Sequence, residues 1–226
     1  MSQNSVEGIS VTIFICISGK AETHLNKDKK DRRSGTVSSL YRILDQLEAH
    51  PIIAAVRDEK GFEAALTSPS AIIFVLDATL SNVKERVRRI HDCGKTCFIH
   101  IEMVAGLGKD QAAVEFLHAE VQPDGILTTK PNLIPVAKHL GMLTVQRLFI
   151  LDSLSIQTGV KMVQGHHPDL MEIMPGIIPK VIPEIKKQCQ TPVIAGGMVS
   201  TKEEIIELLK VGAVAVSTSR EQLWQL

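Results

Sequence analysis

The feature that most constrains this chain is a rhythm. Eight short apolar runs, at residues 52–56, 71–76, 96–101, 125–128, 143–146, 169–173, 192–195 and 213–216, each give way to a stretch with helical character. Runs this short suit strands, and their continuous apolar character suits strands covered on both faces. Among the intervening stretches, Leu80, Val83, Val87 and Ile90 form one apolar stripe at helical spacing. Ala113, Phe116, Leu117 and Val121 form another, and Ile205, Ile206, Leu208 and Leu209 a third. Ser200 with Glu203 reads as a capping box opening the last of these helices. Gly94, Gly141 and Gly212 stand where a helix ends and the next strand begins, the position that a left-handed residue closes.

Strand–helix units in unbroken series predict a parallel sheet. Eight of them most often close on themselves, so the expected fold is an α/β, compact TIM-like (β/α)8 barrel with an N-terminal extension. The structural alternative is an open doubly wound sheet. It expects a glycine fingerprint after the first strand, where this chain has Val56-Arg57-Asp58. With 44% hydrophobic but only 4% aromatic residues, the core must be built from Ile, Val, Leu, Ala and Met.

The expected domain division is an extension over residues 1–37 and the barrel over 38–226. Residues 20–36 are polar and charged, without periodic apolar positions, and read as a solvated tail. A basic arm using Lys27, Lys29, Lys30, Arg32 and Arg33 is the sharper alternative, and a start placed too far upstream is a third. From Ser38, the spacing of Leu40, Ile43, Leu44 and Leu47 predicts an opening helix. The apolar run at 9–18 is too short to span a membrane and lacks the basic flank and cleavage site of a signal peptide. A cytoplasmic chain is therefore expected. The formal net charge of +0 offers no global field for a polyanion, so any such partner must meet a local patch. Cys16, Cys93, Cys97 and Cys189 form no C-x-x-C pair, and reduced thiols with neither a metal site nor a cofactor are expected.

In barrels of this kind the site lies at the C-terminal ends of the strands. There the chain places Arg57, Asp77, His100 and Glu102, then Thr128-Thr129-Lys130, Gln146, Arg147, Glu172, Gly196-Gly197 and Ser217-Thr218-Ser219. Polar groups at nearly every strand end either meet a ligand or form satisfied pairs at the mouth, Glu172 with Arg147 for example. The glycine pair after the seventh strand lets backbone approach a ligand, and the hydroxyls after the eighth add donors; together they resemble a phosphate cradle. The candidate phosphate residues are Gly196, Gly197, Ser217, Thr218 and Ser219. Arg57, Glu102, Arg147 and Glu172 are candidates for hydroxyl groups. His100 has the chemistry of an acid or base, but no nucleophile–base spacing is evident, and Lys130, the lysine nearest a strand end, sits in a loop.

The stretches at 51–57 (PIIAAVR), 146–153 (QRLFILDS), 172–179 (EIMPGIIP), 195–197 (AGG) and 213–219 (AVAVSTS), with Trp224 near the end, resemble the glycerol uptake operon antiterminator regulatory proteins. The likeness runs from about Ile43 to the C-terminus. It implies a non-enzymatic regulator that responds to glycerol 3-phosphate and binds the leader mRNA of glycerol-metabolism genes, preventing premature termination. Such a ligand fits the strand-end site: by position, its phosphate is expected on Gly196, Gly197, Thr218 and Ser219, and its hydroxyls on Glu172, Arg147, Arg57 or Glu102. The RNA contact is expected on basic helix faces: Lys84, Arg86, Arg88 and Arg89, with Lys180, Lys186 and Lys187 as a second cluster, either of which is otherwise a solvated face. The alternative readings are a phosphosugar-processing barrel enzyme of isomerase or aldolase type, and a carrier of glycerol phosphate with no RNA role. A homo-oligomer stays open.

Overall fold

The computed structural model describes the backbone of residues 30–226 and the side chains of residues 39–226. The apolar run at 9–18, Cys16 and the first part of the expected extension lie outside the described residues. All eight expected strands are present: β1 (Ile52–Val56), β2 (Ile72–Val75), β4 (Thr96–His100), β6 (Gly125–Thr128), β7 (Leu143–Phe149), β8 (Leu170–Met174), β9 (Val193–Gly196) and β10 (Ala215–Thr218). They close into a parallel barrel in the order β1-β10-β9-β8-β7-β6-β4-β2. Two further strands of two residues each, β3 (Ala78–Thr79) and β5 (Val104–Ala105), pair outside the barrel and tie the loops after β2 and β4 together.

The helices α2 (Glu59–Thr67), α3 (Val83–Asp92), α4 (Gln111–Phe116), α5 (Leu133–His139), α6 (Ser153–His166), α7 (Val181–Gln188) and α8 (Lys202–Lys210) alternate with the barrel strands. Gly94, Gly141 and Gly212 take positive φ at the helix-to-strand turns, as expected. Two local expectations shift. The capping box of α8 is Thr201 with Glu204, one residue later than expected, because it is the Thr201 hydroxyl that accepts the Glu204 N–H. Leu80 precedes α3 and is exposed, and Ile206 is the exposed member of the α8 stripe, while Val83, Val87, Ile90, Ile205 and Leu208 are buried.

The alternation of side chains along each strand divides the core in two. Ile52, Ala54 and Val56 of β1 pack in one cluster with Phe62 and Ala65 of α2, between barrel and helices. Ile53 and Ala55 instead join Phe74, Phe98, Leu127, Val145, Leu170, Ile194 and Ala215 in a second, interior cluster. Ile43 and Leu47 of α1 (Lys30–Ala49), both fully buried, belong to that interior cluster, so α1 plugs the barrel floor. This helix begins at Lys30, eight residues ahead of the expected boundary at Ser38.

Candidate ligand site at the barrel mouth

Above the apolar floor, the same inward-facing parity delivers polar residues. His100 follows Phe98 on β4, Arg147 follows Val145 on β7, Glu172 follows Leu170 on β8, Gly196 follows Ile194 on β9 and Ser217 follows Ala215 on β10. His100, Arg147, Glu172 and Ser217 are all buried. Register brings them level: Arg147 pairs with Glu172, and Ser217 with Gly196.

Glu172 is the centre of this layer. Its Oε2 accepts from Arg147 Nε at 2.5 Å and its Oε1 from the Ser217 hydroxyl at 2.5 Å. Its side chain is 1% exposed and that of Arg147 7%, so the charges compensate each other in a water-poor setting. Gly196 is required beside them, since a Cβ there would stand 2.5 Å from both Glu172 Oε1 and Ser217 Oγ. The pairing of Arg147 with Glu172 is the contact foreseen from sequence as the purely structural alternative.

Glu102 sits in a 3-10 turn (Ile101–Met103) directly after β4. Its Oε1 accepts from the Thr128 hydroxyl and from the Thr129 N–H at 3.2 Å. Its Oε2 lies 3.2 Å from His100 Nδ1, yet the two are misaligned, and both atoms are buried without a hydrogen-bond partner. Burial first, and the Arg147 guanidinium second, push His100 down to about 4 against the opposing pull of Glu102, so its ring is neutral at neutral pH. Buried polar atoms without partners are costly, and such atoms facing a site mark where a ligand's polar groups would be received.

The loops after β9 and β10 are the seventh and eighth of the barrel, where this architecture commonly holds phosphate. Gly197 (φ +79°) and Met198 (φ +64°) are successive left-handed residues, and Met198 is 73% exposed. A bulky exposed residue in this conformation is uncommon. Neither Met198 nor Ser219 gives its N–H to another residue among those described.

Two members of the expected phosphate set are otherwise engaged. Ser217 faces the interior, but its hydroxyl is given to Glu172. Thr218, one residue on, faces the opposite side of the strand; its hydroxyl donates to the Val199 carbonyl at 3.0 Å and accepts from the Arg220 N–H at 3.2 Å. What remains for an anion is Gly197, Met198 and Ser219, with Gly196 as the residue of close approach. Of the hydroxyl-binding set, Glu102, Arg147 and Glu172 converge on the mouth. Arg57 shares the inward parity of Ile53 and Ala55, is exposed, and makes no ion pair or side-chain hydrogen bond among the described residues. His100 and Thr129 are the further mouth residues that sequence reasoning left without a committed role. Lys130 Nζ donates to the Lys109 carbonyl at 2.9 Å in the rim loops.

The expected RNA-contact residues on α3 are all in ion pairs, and one of the four is buried. Arg86 is buried: its guanidinium donates to the Asp77 carbonyl, pairs with Glu59 at 2.8 Å and lies 5.0 Å from the Phe62 ring centre. Arg88 is bound by Glu85 at 2.6 Å and Asp92 at 3.1 Å, Arg89 by Glu63 at 2.7 Å, and Lys84 by Glu120 at 3.4 Å. Hydrogen bonds from Arg88 and Arg89 hold the carboxyls of Glu85 and Glu63 below their usual range. This face is charge-compensated.

Among the described residues, no helix is long and apolar enough to cross a membrane, and no cluster of three or more His, Cys, Asp or Glu residues could hold a metal ion.

Residues 52–224 match the family described as "Glycerol-3-phosphate responsive antiterminator". The chain is 34% identical over 184 residues to the uncharacterized protein YgcP of Escherichia coli (strain K12), covering 81% of this chain and 96% of that protein. Among solved structures, the glycerol uptake operon antiterminator regulatory protein of Listeria monocytogenes superposes with a TM-score of 0.74 at 37% identity, covering 76% of this chain and 94% of that one. A glycerol uptake operon antiterminator-related protein of Thermotoga maritima gives 0.69 at 35% identity, covering 77% and 98%.

Proposed function

The chain belongs to the glycerol-3-phosphate responsive antiterminator family, and on that premise we propose that it is a regulator whose barrel mouth receives glycerol 3-phosphate. The ligand controls its binding to leader mRNA of glycerol-metabolism genes, and through it transcription termination. The observation that carries this reading is the layered mouth. Over an apolar floor stands a buried polar layer built on Arg147, Glu172 and Ser217, with unpartnered buried atoms on His100 and Glu102. Beside it, in the loops after β9 and β10, the N–H groups of Met198 and Ser219 have no partner among the described residues and are available to an anion. A small phosphorylated polyol has this composition: hydroxyls that donate and accept at one end, and an anion at the other.

The regulator reading is favoured over an aldolase by Lys130. A Schiff-base lysine stands desolvated within the site, whereas Lys130 is held by a rim carbonyl. His100 and Glu102 form the one pair with acid–base character at the mouth.

Calorimetry with glycerol 3-phosphate, glycerol and inorganic phosphate tests the ligand. Saturable binding of glycerol 3-phosphate, much tighter than either fragment, is expected. RNA binding with and without that ligand then tests the coupling, which must be reciprocal. Absence of heat with glycerol 3-phosphate, or turnover of it, would overturn the assignment.

A further inference from the structure

The α3 cations are spent on neighbouring carboxylates, yet the opposite side of the barrel presents a different balance. Between Ser153 and Gln188 there are four lysines, Lys161, Lys180, Lys186 and Lys187, all exposed. The acids in this interval are Asp169, Glu172 and Glu184. Asp169 is buried and bound by Lys138 at 3.0 Å and Glu172 by Arg147, which leaves Glu184 as the one exposed acid of the interval. Lys161, Lys180 and Lys187 make no ion pair or side-chain hydrogen bond among the described residues, while Lys186 donates to the Gly212 carbonyl at 3.1 Å. The two helices carrying these residues are side by side, joined by the Gln164 side-chain amide donating to the Gln188 carbonyl at 2.7 Å.

At the rim end of the same sector, Phe149, Leu151, Leu154 and Ile177 are all exposed. Phe149 closes β7 opposite Met174 on β8, and Leu154 opens α6. In a chain with 4% aromatic residues, an aromatic ring left 55% exposed stands at the rim of a sector whose helices carry uncompensated cations. Lysines alone would suit any polyanion and a lone apolar rim would suit any apolar face. Together they match a strand whose phosphates need cations and whose bases need a flat surface for stacking.

We propose that single-stranded RNA is taken by the α6–α7 face, with Lys161, Lys180 and Lys187 as phosphate contacts, and crosses the adjoining rim, where Phe149, on the inward parity of Arg147, is the stacking platform. The inference rests on the regulator reading above and assigns its RNA surface. It also places that surface next to the ligand. Phe149 lies two residues beyond Arg147 on β7, and Met174 two beyond Glu172 on β8, so one strand pair carries both the buried ion pair and the rim.

The full chain, with saturating glycerol 3-phosphate, is titrated by fluorescence anisotropy into two probes across a salt series. One is a set of short RNAs tiled over leaders of glycerol-uptake genes, the other polyuridylate. The triple variant Lys161→Glu, Lys180→Glu, Lys187→Glu is expected to flatten the dependence of log affinity on log salt by about 2, since each phosphate contact on a single strand contributes roughly 0.7. Phe149→Ala is expected to bind roughly 5- to 150-fold more weakly, the range of one lost base stack. Lys84→Glu with Arg88→Glu on α3 is expected to change little. All changes are at exposed positions, and unchanged circular dichroism melting shows that the fold is kept. Wild-type binding that survives the triple variant with the same salt slope overturns this surface and leaves the regulator reading standing. A wild-type chain that binds neither probe, with or without glycerol 3-phosphate, overturns the regulator reading itself and this surface with it. If Phe149→Ala changes the sedimentation coefficient but not the RNA affinity, the rim docks a second copy of the chain, and the proposal fails in that way instead.

Discussion

Gly196 leaves no room for a methyl group beside Glu172: a Cβ would sit 2.5 Å from the carboxylate Oε1 and as close to the Ser217 hydroxyl that the carboxylate accepts. The Glu172 side chain is pinned from the other side by Arg147, so it cannot simply swing away. Gly196→Ala should therefore separate Ser217 from Glu172 and destabilise the barrel by about 1–3 kcal/mol, the usual range for overpacking a dense interior. Urea unfolding measures the first effect, and calorimetry with glycerol 3-phosphate should show weaker binding from the second.

Glu172→Gln removes the charge that compensates Arg147 where water cannot replace it. Breaking one partner of a buried pair costs about 3–5 kcal/mol. The double variant Glu172→Gln, Arg147→Met takes away the stranded cation as well and should recover part of that loss. A double-mutant cycle by urea unfolding checks this. Strict additivity of the two single changes would mean that the pair, joined at 2.5 Å, contributes no coupling to stability.

His100 gives the fold a pH dependence of definite sign. Its folded value of about 4 lies below its ordinary 6.5, so between those values the unfolded chain binds the proton that the folded chain refuses. The contribution to stability is complete above pH 6.5 and is lost as pH falls toward 4, on the order of 3 kcal/mol over that span. His100→Gln should flatten the curve of unfolding free energy against pH in this window. A His100 resonance titrating near 6.5 by NMR would refute the cause assigned here, which is burial with Arg147 alongside.

The barrel was legible because a strand covered on both faces leaves an unbroken apolar run, and eight such runs have few ways to be satisfied together. The mouth was legible only by position. That Ser217, and not Thr218, faces inward depends on parity, and a shift of one residue reverses every side chain on a strand. Sequence placed both in the cradle, while the structure gives one hydroxyl to Glu172 and the other to Val199. On α3 the charge balance was hidden for another reason. The cations stand on one short helix, but most of the carboxylates that neutralise them come from elsewhere: Glu59 and Glu63 from α2, Glu120 from beyond α4. No local pattern announces such partners, and among the described residues Lys187 of α7 meets no carboxylate while Lys186 finds only the Gly212 carbonyl. The two-residue strands β3 and β5 are too short to carry any periodicity.

Arg86 and Arg88 stand two residues apart on one basic helix and contribute to stability in different ways. Its side chain is 7% exposed, bonded to the Asp77 carbonyl and Glu59 and stacked near Phe62. Arg86→Ala should cost about 3 kcal/mol through lost packing and a carbonyl left without its donor. RNA affinity of the fraction that stays folded should not change. Arg88→Ala, on the exposed side of the same helix and in surface ion pairs, should alter stability by less than about 1 kcal/mol. Thermal unfolding of the two variants side by side would show the difference, and equal effects would mean that the inward placement of Arg86 does not govern its contribution.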